Sequence, residues 1–520
     1  MKQRFSFLFA VLCGILLLAS CHRGPDYARM IPSDAVMVMD MQLEQLYKKG
    51  DLKHADELSM MKMLRQELGN ESDASAAKIN DLLDNPEQTG LDLMGDVVLY
   101  ADESSNVVLL MPMRSQRKFE KFLASLVEDE ELQIEKQDGF KQLKGLDALP
   151  FGLCWDKEKV ALTVRYDGDQ AQLMKLDKKA SMDGNKDFRA YWKKRGDMSF
   201  WYDAESFLSM LNNTGLSAEM GDLSAYTDMM KGVSYCADVN FEKGLVRTVI
   251  KTFGIDKNSE MMKFYNKKMN SKLMDFMPEP CFVGLTLSAA VDQMLPYWDK
   301  MGSSAAWLDE EIVGGTTVRD LMTCIDGSLA ANLYGFGTTD EGSLLPLFAA
   351  AVDLKDAAKV RSMLTQLKLE QSQEDLWVVP GLPLYIGMKK DVLFVTDELA
   401  TAQTAMGKGF KNGMKAVAKK AKKGNYLFAD LGIDRYPDVV KVLMNKDLIV
   451  LLRSYLDYTE CVSTSETEGE YVLYLADKKQ NSLAATIHFV DDNLLRFGSL
   501  FSSLSEGLGK ADDYDFELED

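Results

Sequence analysis

Three carboxylates recur at one kind of place in this chain. Asp40, Asp203 and Asp430 each close a short apolar segment, residues 36–40, 198–203 and 426–430, that reads as a strand running into a helix. Two acids held in one cleft could divide general acid and general base work, provided their surroundings set their pKa values apart. A fourth segment of the same kind ends in Thr286. Aspartate and threonine can both accept hydrogen bonds from the free N–H groups of a helix's first turn, so capping accounts for the acids and the threonine together. Asp40, Asp203 and Asp430 are therefore candidate acids whose expected role is structural.

Other chemistries find less material. The histidines are His22, His54 and His488, in a polar tether, a polar helix and an expected strand over 484–490. Ser–His–Asp catalysis needs a positioned base, and none of these lies in such a setting. The chain has no G-x-S-x-G, no H-E-x-x-H and no phosphate-binding G-x-x-x-x-G-K loop. Ser115-Gln116-Arg117-Lys118 fits S-x-x-K without its companion motifs, and Ser115 is expected to cap a helix. Gly335-Phe336-Gly337 lacks the third glycine of a dinucleotide loop and is expected to form a hairpin turn. Cys154, Cys236, Cys281, Cys324 and Cys461 show no C-x-x-C spacing and no Cys/His cluster, so neither a metal nor a cofactor is expected.

Methionine is the unusual component, with 31 residues. Met37, Met39 and Met41 share one face of an expected strand, and others group at Met60, Met61 and Met63 and at Met229 and Met230. Such deformable side chains suit a groove for lipid or apolar peptide, which would be a deep Met-lined cavity. They equally fill an ordinary core, the expected use here.

The elements that must position these residues come in two sets. The segment 30–40, Met-Ile-Pro-Ser-Asp-Ala-Val-Met-Val-Met-Asp, is echoed by 276–286, Phe-Met-Pro-Glu-Pro-Cys-Phe-Val-Gly-Leu-Thr. A hairpin pattern over 149–164 returns over 382–395, and the helix-period run Phe119, Phe122, Leu123, Leu126 returns as Val360, Met363, Leu364, Leu367. Segments 198–203 and 426–430 complete a collinear series. Each set mixes antiparallel hairpins with packed helices and lacks regular βαβ alternation, so the fold class is α+β in two homologous halves. The expected boundaries are 30–256 for the first repeat, 257–274 for a connecting helix and 275–505 for the second repeat. An acidic disordered tail over 506–520 follows.

The first residues read as an address. Lys2 and Arg4 precede an apolar run over 5–18, and Leu18-Ala19-Ser20-Cys21 has the form of a bacterial lipobox. Residues 1–20 are thus an expected lipoprotein signal peptide, Cys21 the lipidation site, and 21–29 a lipidated tether. Several acyl chains on one residue hold a soluble body at a membrane surface. The expected location is the cell envelope, on the outer membrane and facing the periplasm. The net charge of −20 leaves no basic footprint for nucleic acid.

The lipobox, the motif Ile31-Pro32-Ser33-Asp34-Ala35-Val36 and the paired halves together resemble the Bacteroidetes lipoproteins of the domain-of-unknown-function (DUF) 4836 family. The resemblance spans the mature chain, departs at Glu279-Pro280 in the second half, and implies an envelope lipoprotein without catalytic residues to transfer. The leading reading is a non-enzymatic, lipid-anchored binding or scaffolding protein whose partner is an envelope protein or apolar ligand. The alternatives are a periplasmic carrier or holdase for lipid or apolar peptide, and a hydrolase in which Asp203 and Asp430 converge in a pocket.

Overall fold

The computed structural model describes residues 27–497, apart from 71–79, 127–132, 145–150, 165–173, 214–226, 256–267 and 339–342 and the shorter gaps 105, 175, 228–229, 301, 368, 412, 415–417, 422–424, 444–445 and 464. The signal peptide, Cys21, most of the tether, Met229 and the acidic tail lie outside the described residues. So does most of the connecting helix, whose described end passes into a 3-10 helix, Ser271–Phe276.

Two compact units make up the chain, the first from residues 27–253 with 477–497, the second from 254–476. The first carries strands β1 (Ala35–Gln42), β2 (Asp96–Asp102), β3 (Val107–Pro112), β4 (Gln133–Lys136), β5 (Lys141–Lys144), β6 (Phe151–Trp155), β7 (Lys159–Val164), β8 (Met198–Asp203), β9 (Ser234–Glu242) and β10 (Leu245–Phe253). All pair antiparallel in the order β4-β5-β6-β7-β3-β2-β1-β8-β9-β10.

In the second unit the strands are β11 (Val283–Ser288), β12 (Glu311–Val313), β13 (Thr316–Thr317), β14 (Ile325–Thr338), β15 (Leu344–Leu354), β16 (Glu370–Gln373), β17 (Leu376–Val378), β18 (Tyr385–Lys389), β19 (Val392–Thr396), β20 (Tyr426–Asp430), β21 (Leu456–Ser463) and β22 (Glu468–Leu475). With β12 and β13 set apart as a small ribbon, the rest run β16-β17-β18-β19-β15-β14-β11-β20-β21-β22, again antiparallel. Strand for strand, the two units follow the same succession. The protein is α+β.

Alternation along the strands sets what each sheet face carries. On β1, Val36, Val38 and Asp40 are buried while Met37, Met39 and Met41 are half-buried. The Val38 side joins Tyr100, Leu110, Trp201 and Cys236 in a core closed by Phe188, Tyr191 and Trp192 of the helix Lys186–Trp192. The opposite face, with Val97, Met111, Trp155 and Leu162, lies under the helix Gln116–Leu126. That helix buries Phe119, Phe122 and Leu123 at i, i+3 and i+4, and Phe119 meets Trp155 edge to face at 5.5 Å. Ser115 Oγ accepts from Lys118 N at its start. Gly90, at φ +74°, lies so close to this turn that a Cβ would stand 2.4 Å from Phe119 N. The counterpart in the second unit, the helix Ala357–Gln366, is capped by Asp356 and buries Val360, Met363 and Leu364.

Three local expectations are corrected. Residues 482–492, including His488, are helical rather than extended: Asn481 caps the helix by accepting from Leu483 N, and it packs on the helices Leu43–Lys49 and Ser59–Asn70 of the first unit. The β-branched run Thr486-Ile487 had favoured a strand, and tertiary packing overrides that preference. This helix, placed by the sequence boundaries in the second repeat, belongs to the first unit. Gly335-Phe336-Gly337 is no turn, because β14 continues through it to Thr338 with a register shift between Leu333 and Gly335.

Candidate functional site

Each candidate acid has a distinct fate. Asp203 ends β8 and its Oδ1 accepts from Ser206 N at 2.9 Å, capping the helix Ala204–Asn213 as expected. Asp430 ends β20, accepts from Gly432 N at 2.9 Å, and is clamped by Arg435, whose Nε lies 2.8 Å from Oδ1 and 2.7 Å from Oδ2. The two acids lie in different units, each committed to its own turn.

Asp40 is not a cap. Pairing with β2 carries β1 two residues further, to Gln42 opposite Asp96, so the helix Leu43–Lys49 starts beyond reach of the Asp40 side chain. Thr286 likewise lies inside β11 and is buried. Asp40 is fully buried in the sheet. Arg195 Nη1 stands 3.0 Å from its Oδ1, while Nη2 of the same guanidinium stands 3.0 Å from Asp96 Oδ2. Trp192 supports that guanidinium, its ring centroid 4.1 Å from Cζ. Directly across the strand pair from Asp40 is Ser199, which donates to Asp238 Oδ1 at 2.7 Å.

Among the described residues, Asp40 Oδ2 and the Tyr27 hydroxyl find no hydrogen-bond partner although both are buried. Burial pushes the Asp40 carboxyl up to about 7, Arg195 opposes this, and Asp96 and Asp238 reinforce it. A carboxyl near neutrality is the sort that active sites tune. Here the carboxyl itself is wholly buried, with Arg195 between it and Asp96.

Sequence reasoning missed a buried acid of the second unit, Glu460. It accepts from Tyr426 Oη and Tyr474 Oη, both at 2.7 Å, and pairs with Lys420. Burial raises its pKa, and these donors together outweigh burial, holding the carboxyl below its ordinary value. The thiols of Cys154 and Cys281 are pushed up to about 12 by burial, which suits core residues and not nucleophiles.

Among the described residues many methionines fill cores: Met30, Met61, Met111, Met182, Met274 and Met277 are all buried. A cavity of about 280 Å3 is lined by Asp81, Leu82, Gln88, Lys118, Lys121, Phe122 and Ser125, none of them methionine.

An apolar surface that the sequence did not announce is on the second unit's sheet. One row of cross-strand neighbours runs Phe348, Leu333, Val283, Ala429, Thr459, Leu473. The next runs Ala350, Ala331, Leu285, Leu427, Cys461, Tyr471. Neither row holds a charge. Phe348, Val283, Leu427 and Tyr471, with Leu287 one step further along β11, are 36% to 43% exposed.

The same strand positions in the first unit are covered. Met37, Met39, Phe200 and Tyr202 are half-buried there, the helix Ala204–Asn213 packs on β1 and β8, and Phe207 meets Tyr202 at 5.6 Å. After β20 the helix Lys446–Tyr455 packs on the 3-10 turn Ile433–Arg435, tied by Arg453 Nε to Asp434 Oδ1 at 2.7 Å. Val442, in the short helix before it, is 82% exposed.

The family model described as Domain of unknown function (DUF4836) matches residues 27–483. No curated protein matches the chain. Among solved structures, crystal form IV of TP0453 is similar at 8% identity and a TM-score of 0.25, covering 44% of this chain and 80% of that one. Crystal form I of TP0453 is similar at 8% identity and a TM-score of 0.18, covering 74% of this chain and 97% of that one.

Proposed function

This chain belongs to the DUF4836 family, and from that premise we propose that it is a non-enzymatic binding protein of a bacterial cell envelope, anchored by lipid on Cys21. One observation carries the non-enzymatic part: all three candidate acids are engaged in structure. Asp203 holds a helix N-terminus, Asp430 holds Arg435, and Asp40 is sealed in a core with Arg195. General acid and base work requires groups free to exchange protons with substrate, and these carboxylates are committed to protein partners. The hydrolase reading, which needed Asp203 and Asp430 to converge, loses its basis.

The lipobox supports a Bacteroidetes-type lipoprotein on the outer membrane, facing the periplasm. The shared strand succession of the two units supports their origin by duplication of one ancestral half. A role as carrier or holdase for apolar molecules is favoured by the exposed sheet face of the second unit rather than by a methionine-lined cavity.

Two measurements test this. Cys21→Ala is expected to release the chain from the membrane fraction or leave its leader uncleaved; unchanged fractionation and lipid labelling would refute the anchor. Mass spectrometry of the mature protein, gently extracted from its own envelope, is expected to find a bound partner or small molecule in reproducible proportion. An empty protein that turns over substrates in an activity screen would refute the binding role.

A further inference from the structure

We propose that the exposed face of the second unit's sheet seats the acyl chains of a zwitterionic phospholipid, an assignment that rests on the binding reading above and gives it a ligand class. Three observations converge on this occupant.

The first is chemistry. Two rows of cross-strand neighbours, one centred on Val283 and Ala429 and the other on Leu285 and Leu427, cross six strands without a charged side chain. A surface of this kind offers contact and no directed hydrogen bonds, which suits hydrocarbon. One row ends at Tyr471, an amphipathic residue of the type that marks a boundary between apolar and wet surroundings. With a net charge of −20 on the chain, a lipid without net charge is favoured over a fatty acid.

Size is the second. Five strand spacings make the face about 24 Å wide, and the four residue steps from Val283 to Leu287 make it about 14 Å deep, roughly 340 Å2 in all. A stable protein interface needs about 800 Å2 on each partner. The face is therefore too small for a protein or a second copy and long enough for an extended acyl chain.

The third is missing cover. In the first unit the helix Ala204–Asn213 packs on the equivalent strands β1 and β8, whereas in the second Leu287 and Leu427 are 43% and 42% exposed.

The test uses the mature protein with vesicles of phosphatidylethanolamine and phosphatidylcholine containing a trace of phosphatidylcholine that bears a photoreactive diazirine in its acyl chain. After irradiation, labelled peptides are expected to include β11 or β20. Leu427→Lys and Leu287→Lys are each expected to lower that labelling by about tenfold, as a charge placed against hydrocarbon would, while Leu382→Lys, at an exposed loop position, leaves it unchanged. Leu427→Ala, expected to give a partial loss, serves if a lysine variant does not melt like the parent.

Labelling confined to other strands, or undiminished by Leu427→Lys and Leu427→Ala, overturns the proposal. So does a dimer in sedimentation that Leu427→Lys dissolves. A stoichiometric protein partner recovered without photolabel overturns the lipid assignment and leaves the binding reading standing; loss of both label and partner removes both.

Discussion

Arg195 binds Asp40 at a position in the sheet that water does not reach, with Nη1 3.0 Å from Oδ1. The pair is incomplete, because Asp40 Oδ2 has no partner among the described residues and Arg195 is shared with Asp96. The folded state accordingly favours the protonated carboxyl, raised by burial from 3.8 to about 7.

That shift has a sign. Between these two values the folded chain holds a proton that the unfolded chain has released, so stability falls as pH rises through the window. Asp96, also raised chiefly by burial, acts in the same direction. Glu460 and Asp491, held below their ordinary values, lose their contribution only as pH falls below the ordinary carboxylate range. Melting temperature is expected to be higher near pH 5 than near pH 8, with Asp40→Asn flattening the difference. An equally steep profile in Asp40→Asn would assign the effect elsewhere.

Removing the other partner should matter most at high pH. Arg195→Ala leaves Asp40 buried without its cation; because that carboxyl, raised to about 7, can stay protonated, the loss is expected to be small near pH 7 and to grow towards about 3 kcal/mol near pH 9. Denaturant unfolding near pH 9 of Arg195→Ala beside the double variant Arg195→Ala/Asp40→Asn measures this, and the second change should restore much of the loss. Identical single and double variants would mean that the pair is not coupled.

Asp203 is a cap, and its loss should look like one. Asp203→Ala is expected to cost about 1 kcal/mol, Asp203→Asn less, since asparagine also caps well. Ligand or partner capture by these variants should match the parent. A capture defect with unchanged stability would return Asp203 to the functional residues.

Asp491 closes the first unit from far along the chain. Its carboxylate accepts from Ser59 N at 2.8 Å and Met60 N at 2.7 Å, capping a helix more than four hundred residues away in sequence. Asp491→Ala is expected to lower stability by about 1–2 kcal/mol and to speed proteolysis within residues 59–70 selectively. Uniform cleavage across the chain would show that the cap has no local role.

Much of the architecture was legible because local patterns carry it. The hairpins over 151–164 and 385–396 and the helices bearing Phe119 and Val360 stand where periodicity put them. Their burial follows the spacing of their apolar residues. Asp203 was legible as a cap because strand end and helix start coincide there. Asp40 was not, because only the register with β2 decides that β1 runs on to Gln42.

The face of β11 was illegible for a sharper reason. Val283, Leu285 and Leu287 alternate with Gly284, Thr286 and Ser288, and the usual rule turns the aliphatic side inward. The structure does the reverse: glycine, threonine and serine are buried, and valine and leucine face out. Alternation reveals two faces, but only tertiary packing decides which is covered.

The first unit's two-part construction bears on how the molecule is made. Its closing helix, Ser482–Asp492, is synthesised after the whole of the second unit. A chain growing from its N-terminus lacks this cover for Leu43–Lys49 and Ser59–Asn70 until that helix emerges. The first half can be finished only after the second has been made, so a premature stop anywhere in the second half leaves both halves incomplete.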